Sequence, residues 1–335
     1  MTLVSIGDLA RSMVLQSGIG QNKANVQRLV GELTSGRHSD PAKVMRGDFT
    51  ALGAIEASLA RLKGWDEATT DLGLRLGMMQ TALASVGSIA SEVSESLLTA
   101  TGSGTAALVD SAGANARQQF GAAVGFLNTR FGDRSLFAGA ATGGPALSPA
   151  EGMLDDLMVV VAGAANADDA IAAVEGWFAS PTGFGATGYR GSLSAAGPVP
   201  VGPGETVQIN GTAADPALRD LLGGLAMAAL LDRGLFGGND VARSDVAQAA
   251  GLLLFANGSD RAHLAAGIGM VEAQVASAQA RNGTETGTLE IGRAGLIAAD
   301  PFKTATELEA AQTQLETLYA LTARVSQLDL TDYLR

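Results

Sequence analysis

Hydrophobic side chains recur along this chain in alternating steps of three and four residues, the spacing that lines one face of an α-helix. The longest run extends from Leu72 to Leu97 and keeps this spacing without a break. Shorter runs occupy residues 120–131 and 264–278. The pattern predicts a mainly α-helical protein built from long, coiled-coil-like helices.

Both ends of the chain carry the same pattern, which favours an antiparallel pairing of the N-terminal and C-terminal helices. The N-terminal helix is predicted to stop at Ser35-Gly36, because glycine readily takes the left-handed conformation that ends a helix. The N-terminal seam has one polar member, Asn22. The predicted seam positions are Leu15, Ile19, Val26, Leu29, Leu33, Leu308, Leu315, Leu318, Val325 and Leu328.

Two such helices do not make a stable unit by themselves. A buried Leu or Val contributes about 1.5–3 kcal/mol, whereas ordering the backbone costs roughly 1–2 kcal/mol per residue. We therefore predict that the paired ends assemble with further copies of the chain, and that the seam positions form the assembly interface.

Proline marks the predicted helix starts. Asp40-Pro41, Asp215-Pro216 and Asp300-Pro301 each place a capping carboxylate before a proline that suits the first helical position. Ser148-Pro149 offers the same arrangement with a hydroxyl group. These signals predict four helix N-termini.

One region differs from the predicted helices in composition. Residues 181–211 are rich in glycine and proline, which excludes helix, and residues 206–209 alternate like a strand before an Asn210-Gly211 turn. The predicted division of the chain follows from this contrast. It has terminal assembly helices (1–46 and 300–335), a central helical bundle domain (47–140 and 213–299) and a small outer helical and β insert (141–212).

Composition narrows the classes of function. The 335 residues carry a formal net charge of −12, which argues against a nucleic-acid partner. There are no cysteines, so disulfides and thiolate metal sites are excluded. The apolar runs are too short to predict a membrane span, and no signal peptide is expected. Aromatic residues make up only 4% of the chain, which favours a core of Ala, Leu and Val.

Candidate catalytic chemistry is sparse. His38 and His263 are the two histidines, and neither lies near a nucleophile motif. Residues 267–272 (GIGMVE) resemble the start of a dinucleotide fingerprint but lack its third glycine. The pairs Asp155-Asp156 and Asp168-Asp169 lack calcium-loop spacing. The sequence predicts no enzyme activity and no catalytic, cofactor-binding or metal-binding residue.

Several segments resemble the flagellin-like superfamily. Residues 25–42 (NVQRLVGELTSGRHSDPA) and 307–334 resemble the N-terminal and C-terminal helices of flagellin. Residues 128–147 (NTRFGDRSLFAGAATGGPAL) are similar to hook-associated proteins of the hook–filament junction, as are residues 189–222. The resemblance covers nearly the whole chain. Its most discriminating part is the turn motif Phe137-Ala138-Gly139.

The resemblance implies a structural subunit of the bacterial flagellum that adapts hook to filament. It implies export through the flagellar secretion system without a cleaved signal peptide, and an extracellular location. The implied partners are copies of the chain in a ring, a hook-associated protein on the hook side, flagellin or a second junction protein on the filament side, and a cytoplasmic export chaperone. A flagellin-like filament subunit is the alternative. A third possibility is a secreted enzyme on a helical scaffold. It would need polar side chains that converge on one site, and the sequence indicates no such cluster.

Overall fold

The computed structural model describes the backbone of residues 6–45 and 47–333. It describes their side chains except those of residues 6–9, 11–12, 44 and 325–333. The chain forms two compact units, whose boundary falls within two long helices. We call residues Met1–Leu62 with Thr284–Arg335 the terminal unit and Lys63–Gly283 the central unit.

The predicted mainly α-helical class is confirmed, and the few strands are short. A π-helical turn occupies Phe184–Gly188. The helices and strands are, in chain order, α1 (Ile6–Ser35), α2 (Pro41–Val44), α3 (Thr50–Gly102), α4 (Ala106–Leu127), β1 (Arg130–Phe131), β2 (Arg134–Ser135), α5 (Ala150–Val161), α6 (Ala167–Ala179), β3 (Val199–Gly202), β4 (Glu205–Val207), α7 (Pro216–Asp232), α8 (Asp240–Ala256), α9 (Gly258–Ile297) and α10 (Pro301–Tyr333).

Three of the four proline-marked helix starts are confirmed, because α2, α7 and α10 begin at Pro41, Pro216 and Pro301. In each case the preceding aspartate accepts a hydrogen bond from a first-turn amide, at 3.3, 3.0 and 2.9 Å respectively. The fourth prediction is wrong by one position. Helix α5 begins at Ala150, since the Ser148 hydroxyl donates instead to the carbonyl of Thr187 and does not cap the helix.

The central unit is organised around α7. Every residue from Leu221 to Leu231 is buried, and α7 packs against α4, α5, α6 and α8. The unbroken hydrophobic run from Leu72 to Leu97 forms the buried face of α3, as its spacing predicts. Helix α3 is fixed to α8 by the Ser94 hydroxyl, which donates to the Gly251 carbonyl at 2.7 Å.

The β hairpin lies one turn earlier than the sequence predicted. Strands β3 and β4 pair antiparallel, and the chain turns between them at Gly204, which has a φ of +71°. The predicted strand at 206–209 is therefore partly wrong. Strand β4 covers Glu205–Val207, because its partner precedes it and the turn follows Gly202 and not Asn210.

The glycine- and proline-rich region shares an aromatic cluster with α6 in the central core. Trp177, Phe178, Phe184 and Tyr189 are all buried, with neighbouring ring centroids 4.9–6.4 Å apart. The expectation of a core made only of Ala, Leu and Val is therefore wrong for this part of the chain. The predicted three-part division into terminal helices, bundle and insert stays a prediction.

Among the helices that the structure describes, none combines the length and the apolar character needed to cross a lipid bilayer.

Candidate functional site

The two terminal helices pack against each other in the terminal unit, as their patterns predict. The Asn22 side-chain amide, buried in this contact, donates from Nδ2 to the carbonyl of Ala311 at 3.1 Å. Farther along, the segment after α1 meets the segment before α10. Residues near 22 thus face residues near 311, and residues near 37 face residues near 298, so the helices run antiparallel.

The predicted seam positions lie on this pair with graded burial. Leu29 on α1 is buried, and so is Ala311 on α10, the residue whose carbonyl faces Asn22. Leu33 is exposed, because α1 ends two residues later. The side chains of Val325 and Leu328 fall outside the described residues. The half-buried positions are Leu15, Ile19, Val26, Leu308, Leu315 and Leu318.

Large apolar side chains also lie on the faces of the terminal unit that point away from the seam. Phe302 is 85% exposed and Val14 is 71% exposed. Single exposed apolar side chains of this kind are ordinary on protein surfaces. The other large exposed side chains of the pair are Met13, Val30, Leu33, Tyr319 and Leu321.

A buried carboxylate organises the turn after α1. Glu32 is 3% exposed, and its Oε1 accepts from Arg28 Nη1 at 2.7 Å and from the Ser39 amide at 3.1 Å. Its Oε2 lies 3.2 Å from His38 Nδ1. Burial raises the pKa of Glu32, but the hydrogen bonds from Arg28, Ser39 and His38 outweigh it and hold the pKa below its ordinary value.

Main-chain hydrogen bonds join this turn to the connection between α9 and α10. The His38 amide donates to the Ile297 carbonyl at 2.9 Å, and the Ala299 amide donates to the Gly36 carbonyl at 3.0 Å. Gly36 has a φ of +66°, the left-handed conformation predicted for the end of α1. We call Glu32, these bonds and residues 36–39 the clasp.

Sequence reasoning missed the clasp. Glu32 lies between the seam positions Leu29 and Leu33 and precedes His38 by six residues. An acidic residue on the apolar face of a helix, close to a helix end, was the available signal, because a buried carboxylate needs several donors. The sequence also offered Arg28 at the helical spacing of four residues.

The turn motif Phe137-Ala138-Gly139 lies inside the central unit. Phe137 and Ala138 are fully buried. The Ser192 amide donates to the Ala138 carbonyl, and the Ala213 amide to the Phe137 carbonyl, both at 2.9 Å. Gly139 has a φ of +59°, and a Cβ there would approach the Ser192 carbonyl oxygen to 2.2 Å. The motif therefore acts by close packing against the loop at residues 192–194.

The described residues bring together few groups suited to catalysis. His38 is engaged with Glu32, and His263 is exposed on α9. Within ranges 6–45 and 47–333, no group of three or more His, Asp or Glu side chains is arranged to hold a metal ion. The terminal helices carry exposed apolar side chains, and the clasp joins the segment after α1 to the segment before α10.

No protein-family model matches this chain, and no curated protein is similar enough to match it.

Proposed function

We propose that this protein is a structural subunit of the bacterial flagellum at the hook–filament junction. It polymerises through its terminal helices and adapts the hook to the filament. The observation that carries the proposal is the antiparallel pairing of α1 and α10, which leaves large apolar side chains on its outer faces. Such a pair gains stability when neighbouring copies cover those faces.

The proposed partners follow from the resemblance of the sequence to hook-associated proteins. Copies of the chain form a ring, a hook-associated protein adjoins it on the hook side, and flagellin or a second junction protein adjoins it on the filament side. A cytoplasmic chaperone holds the chain before the flagellar export system passes it outside the cell. No step in this role requires catalysis, a cofactor, a nucleic acid or a membrane.

The alternative is a flagellin-like filament subunit, which the terminal segments also favour, because residues 25–42 and 307–334 resemble flagellin. The turn motif at Phe137 favours the junction role. Both functions use the same terminal helices, so the sequence of these helices does not separate them.

Deletion of the encoding gene separates the two functions, with electron microscopy of the cells as the measurement. For a junction subunit we expect intact hooks without filaments, and filament protein shed into the medium. For a filament subunit we expect hooks without filaments and no shed filament protein. Normal filaments and normal motility in the deletion strain would contradict both.

A further inference from the structure

Two adjoining cavities of the central unit lie where α3 passes the joint between α8 and α9. Their volumes are about 560 and 680 Å³, within the range of small-molecule sites. Both are lined by Ser91, Gly258 and Arg261, so they form one groove along α3. The terminal helices and the turn motif contribute no residue to the lining of this groove.

Arg261 has an unsatisfied guanidinium in this groove. Its Nη1 atom is buried and has no hydrogen-bond partner among the residues that the structure describes. Burial lowers the pKa of Arg261, with no neighbouring acid raising it. By contrast, Arg117, Arg233 and Arg243 each meet a carboxylate. Most buried polar atoms in proteins are paired, so the unpaired Nη1 leaves a hydrogen-bond donor in this groove that an anionic ligand could use.

A second unsatisfied side chain lies at the same joint. Asn257, the residue between α8 and α9, is only 4% exposed. Its Nδ2 and Oδ1 are both buried without a hydrogen-bond partner within the described part of the chain. Among the described residues, two buried side chains with unpaired polar atoms thus lie four residues apart at this joint.

Apolar and acidic side chains line the walls of the groove. Leu98, Leu254 and Phe255 line the larger cavity, and the Phe255 ring is 75% exposed. Glu95 lines the larger cavity and Glu92 the smaller one. Neither glutamate forms an ion pair with a described residue. The groove thus combines one free cation, two free carboxylates and an apolar wall.

We infer that this groove binds an α-amino acid with a large apolar side chain. Arg261 takes the carboxylate, Glu92 or Glu95 takes the ammonium group, and Leu98, Leu254 and Phe255 contact the side chain. A simple carboxylic acid would meet the glutamates without compensation, and a simple amine would meet Arg261. A zwitterion offers a carboxylate to Arg261 and an ammonium group to a glutamate in the same molecule.

Isothermal titration calorimetry with the full chain tests this inference, with L-phenylalanine and L-leucine as the probes. We expect both to bind, and we expect each of three analogues to bind at least about tenfold more weakly. These analogues are phenylalaninamide, which lacks the carboxylate, 3-phenylpropionate, which lacks the ammonium group, and alanine, which lacks the large side chain.

Matched variants assign the binding to the groove. Arg261→Gln removes the cation and is expected to weaken L-phenylalanine binding about tenfold or more, whereas Arg134→Gln, at an exposed arginine outside the groove, leaves it unchanged. Circular dichroism confirms that each variant is folded. Glu95→Gln with Glu92→Gln should weaken L-phenylalanine but strengthen 3-phenylpropionate. The inference is overturned if neither probe binds, if the analogues bind equally, or if folded Arg261→Gln binds as the parent does.

Discussion

The terminal and central units bury different kinds of side chain. In the central unit an entire stretch of α7, Leu221–Leu231, is buried and apolar. In the terminal unit, three of the seven buried side chains that the structure describes are polar or charged. These seven are Asn22, Leu29, Glu32, Leu62, Ala299, Thr304 and Ala311.

The difference separates two sources of structural order. Apolar burial is non-directional and grows with area, so the central unit gains its stability from its core. Buried polar groups need particular partners in particular positions, so Asn22 and Glu32 add less net stability but select one pairing of the helices. We therefore expect the terminal unit to be specific in its pairing and less stable than the central unit in the isolated chain.

Amide hydrogen exchange on dilute monomer should show this contrast most strongly. We expect α7 amides to exchange only through global unfolding, with a free energy of about 5–15 kcal/mol. Amides of α1 and α10 should open at about 0–2 kcal/mol, because their outer faces lack partners. Equal protection in α1, α7 and α10 would show that the two units do not differ in local stability.

Truncation of one leucine in each unit tests the same contrast. Leu225→Ala, at a fully buried site of α7, should lower the free energy of unfolding by about 2–5 kcal/mol. Leu321→Ala, at a site 47% exposed on α10, should change it by less than about 0.5 kcal/mol. Urea unfolding followed by circular dichroism measures both. A cost at Leu321 that matches the cost at Leu225 would place monomer stability in the terminal helices.

Gly139→Ala tests whether the turn motif is part of the central core. We expect a loss of at least about 2 kcal/mol, since the left-handed conformation alone costs roughly 1–2 kcal/mol and the added Cβ meets the Ser192 carbonyl. Gly143→Ala is the matched control, because a Cβ at Gly143 meets nothing within 4 Å. Thermal unfolding measures both variants, and equal melting temperatures would refute this role for the motif.

Leu315→Asp should prevent assembly while leaving the central unit folded, because it introduces a charge into the half-buried seam at a cost of about 1–3 kcal/mol. Gln314→Asp introduces the same charge at an exposed neighbour and should assemble normally. Filament counts in complemented deletion strains, with circular dichroism of the purified variants, provide the readout. Normal filaments with Leu315→Asp would remove the seam from the assembly interface.

The clasp predicts a small effect that depends on pH. The pKa of Glu32 is lowered in the folded state, so its contribution is present above the ordinary value of about 4.5 and is lost as the pH falls through the folded pKa. Glu32→Gln should lower the free energy of local unfolding of the terminal unit by about 1 kcal/mol at neutral pH. The free energy of opening measured from α1 amide exchange should then depend less on pH in the variant than in the parent. Glu307→Gln, at an exposed site, should behave as the parent. If the α1 opening free energy of the parent and of Glu32→Gln has the same pH dependence, Glu32 is not the cause of that dependence.

The sequence predicted the features that depend on local spacing. The hydrophobic run of α3, the end of α1 at Gly36 and the aspartate caps at Pro41, Pro216 and Pro301 each rest on residues within a few positions of one another.

The missed features depend on contacts between distant residues. Phe184 and Tyr189 lie in a segment whose glycine and proline content indicates loop, yet they are buried, because α6 supplies Trp177 and Phe178 to pack against them. Likewise, Glu32 can be buried as a carboxylate because residues 38 and 39 supply it with hydrogen-bond partners. Periodicity carries no information about either contact.

The hydrogen bond from Asn22 has a consequence for how the helix pair can move. Its amide reaches a carbonyl of α10 at Ala311, the small residue in a row otherwise made of Leu308, Leu315 and Leu318. Sliding one helix by a turn, about 5.4 Å, would set Asn22 against a leucine and leave its amide buried and unpaired, a cost of about 1–3 kcal/mol. Asn22 thus fixes the axial register of the pair, and in the proposed polymer axial strain would be relieved between subunits before one helix slipped along the other.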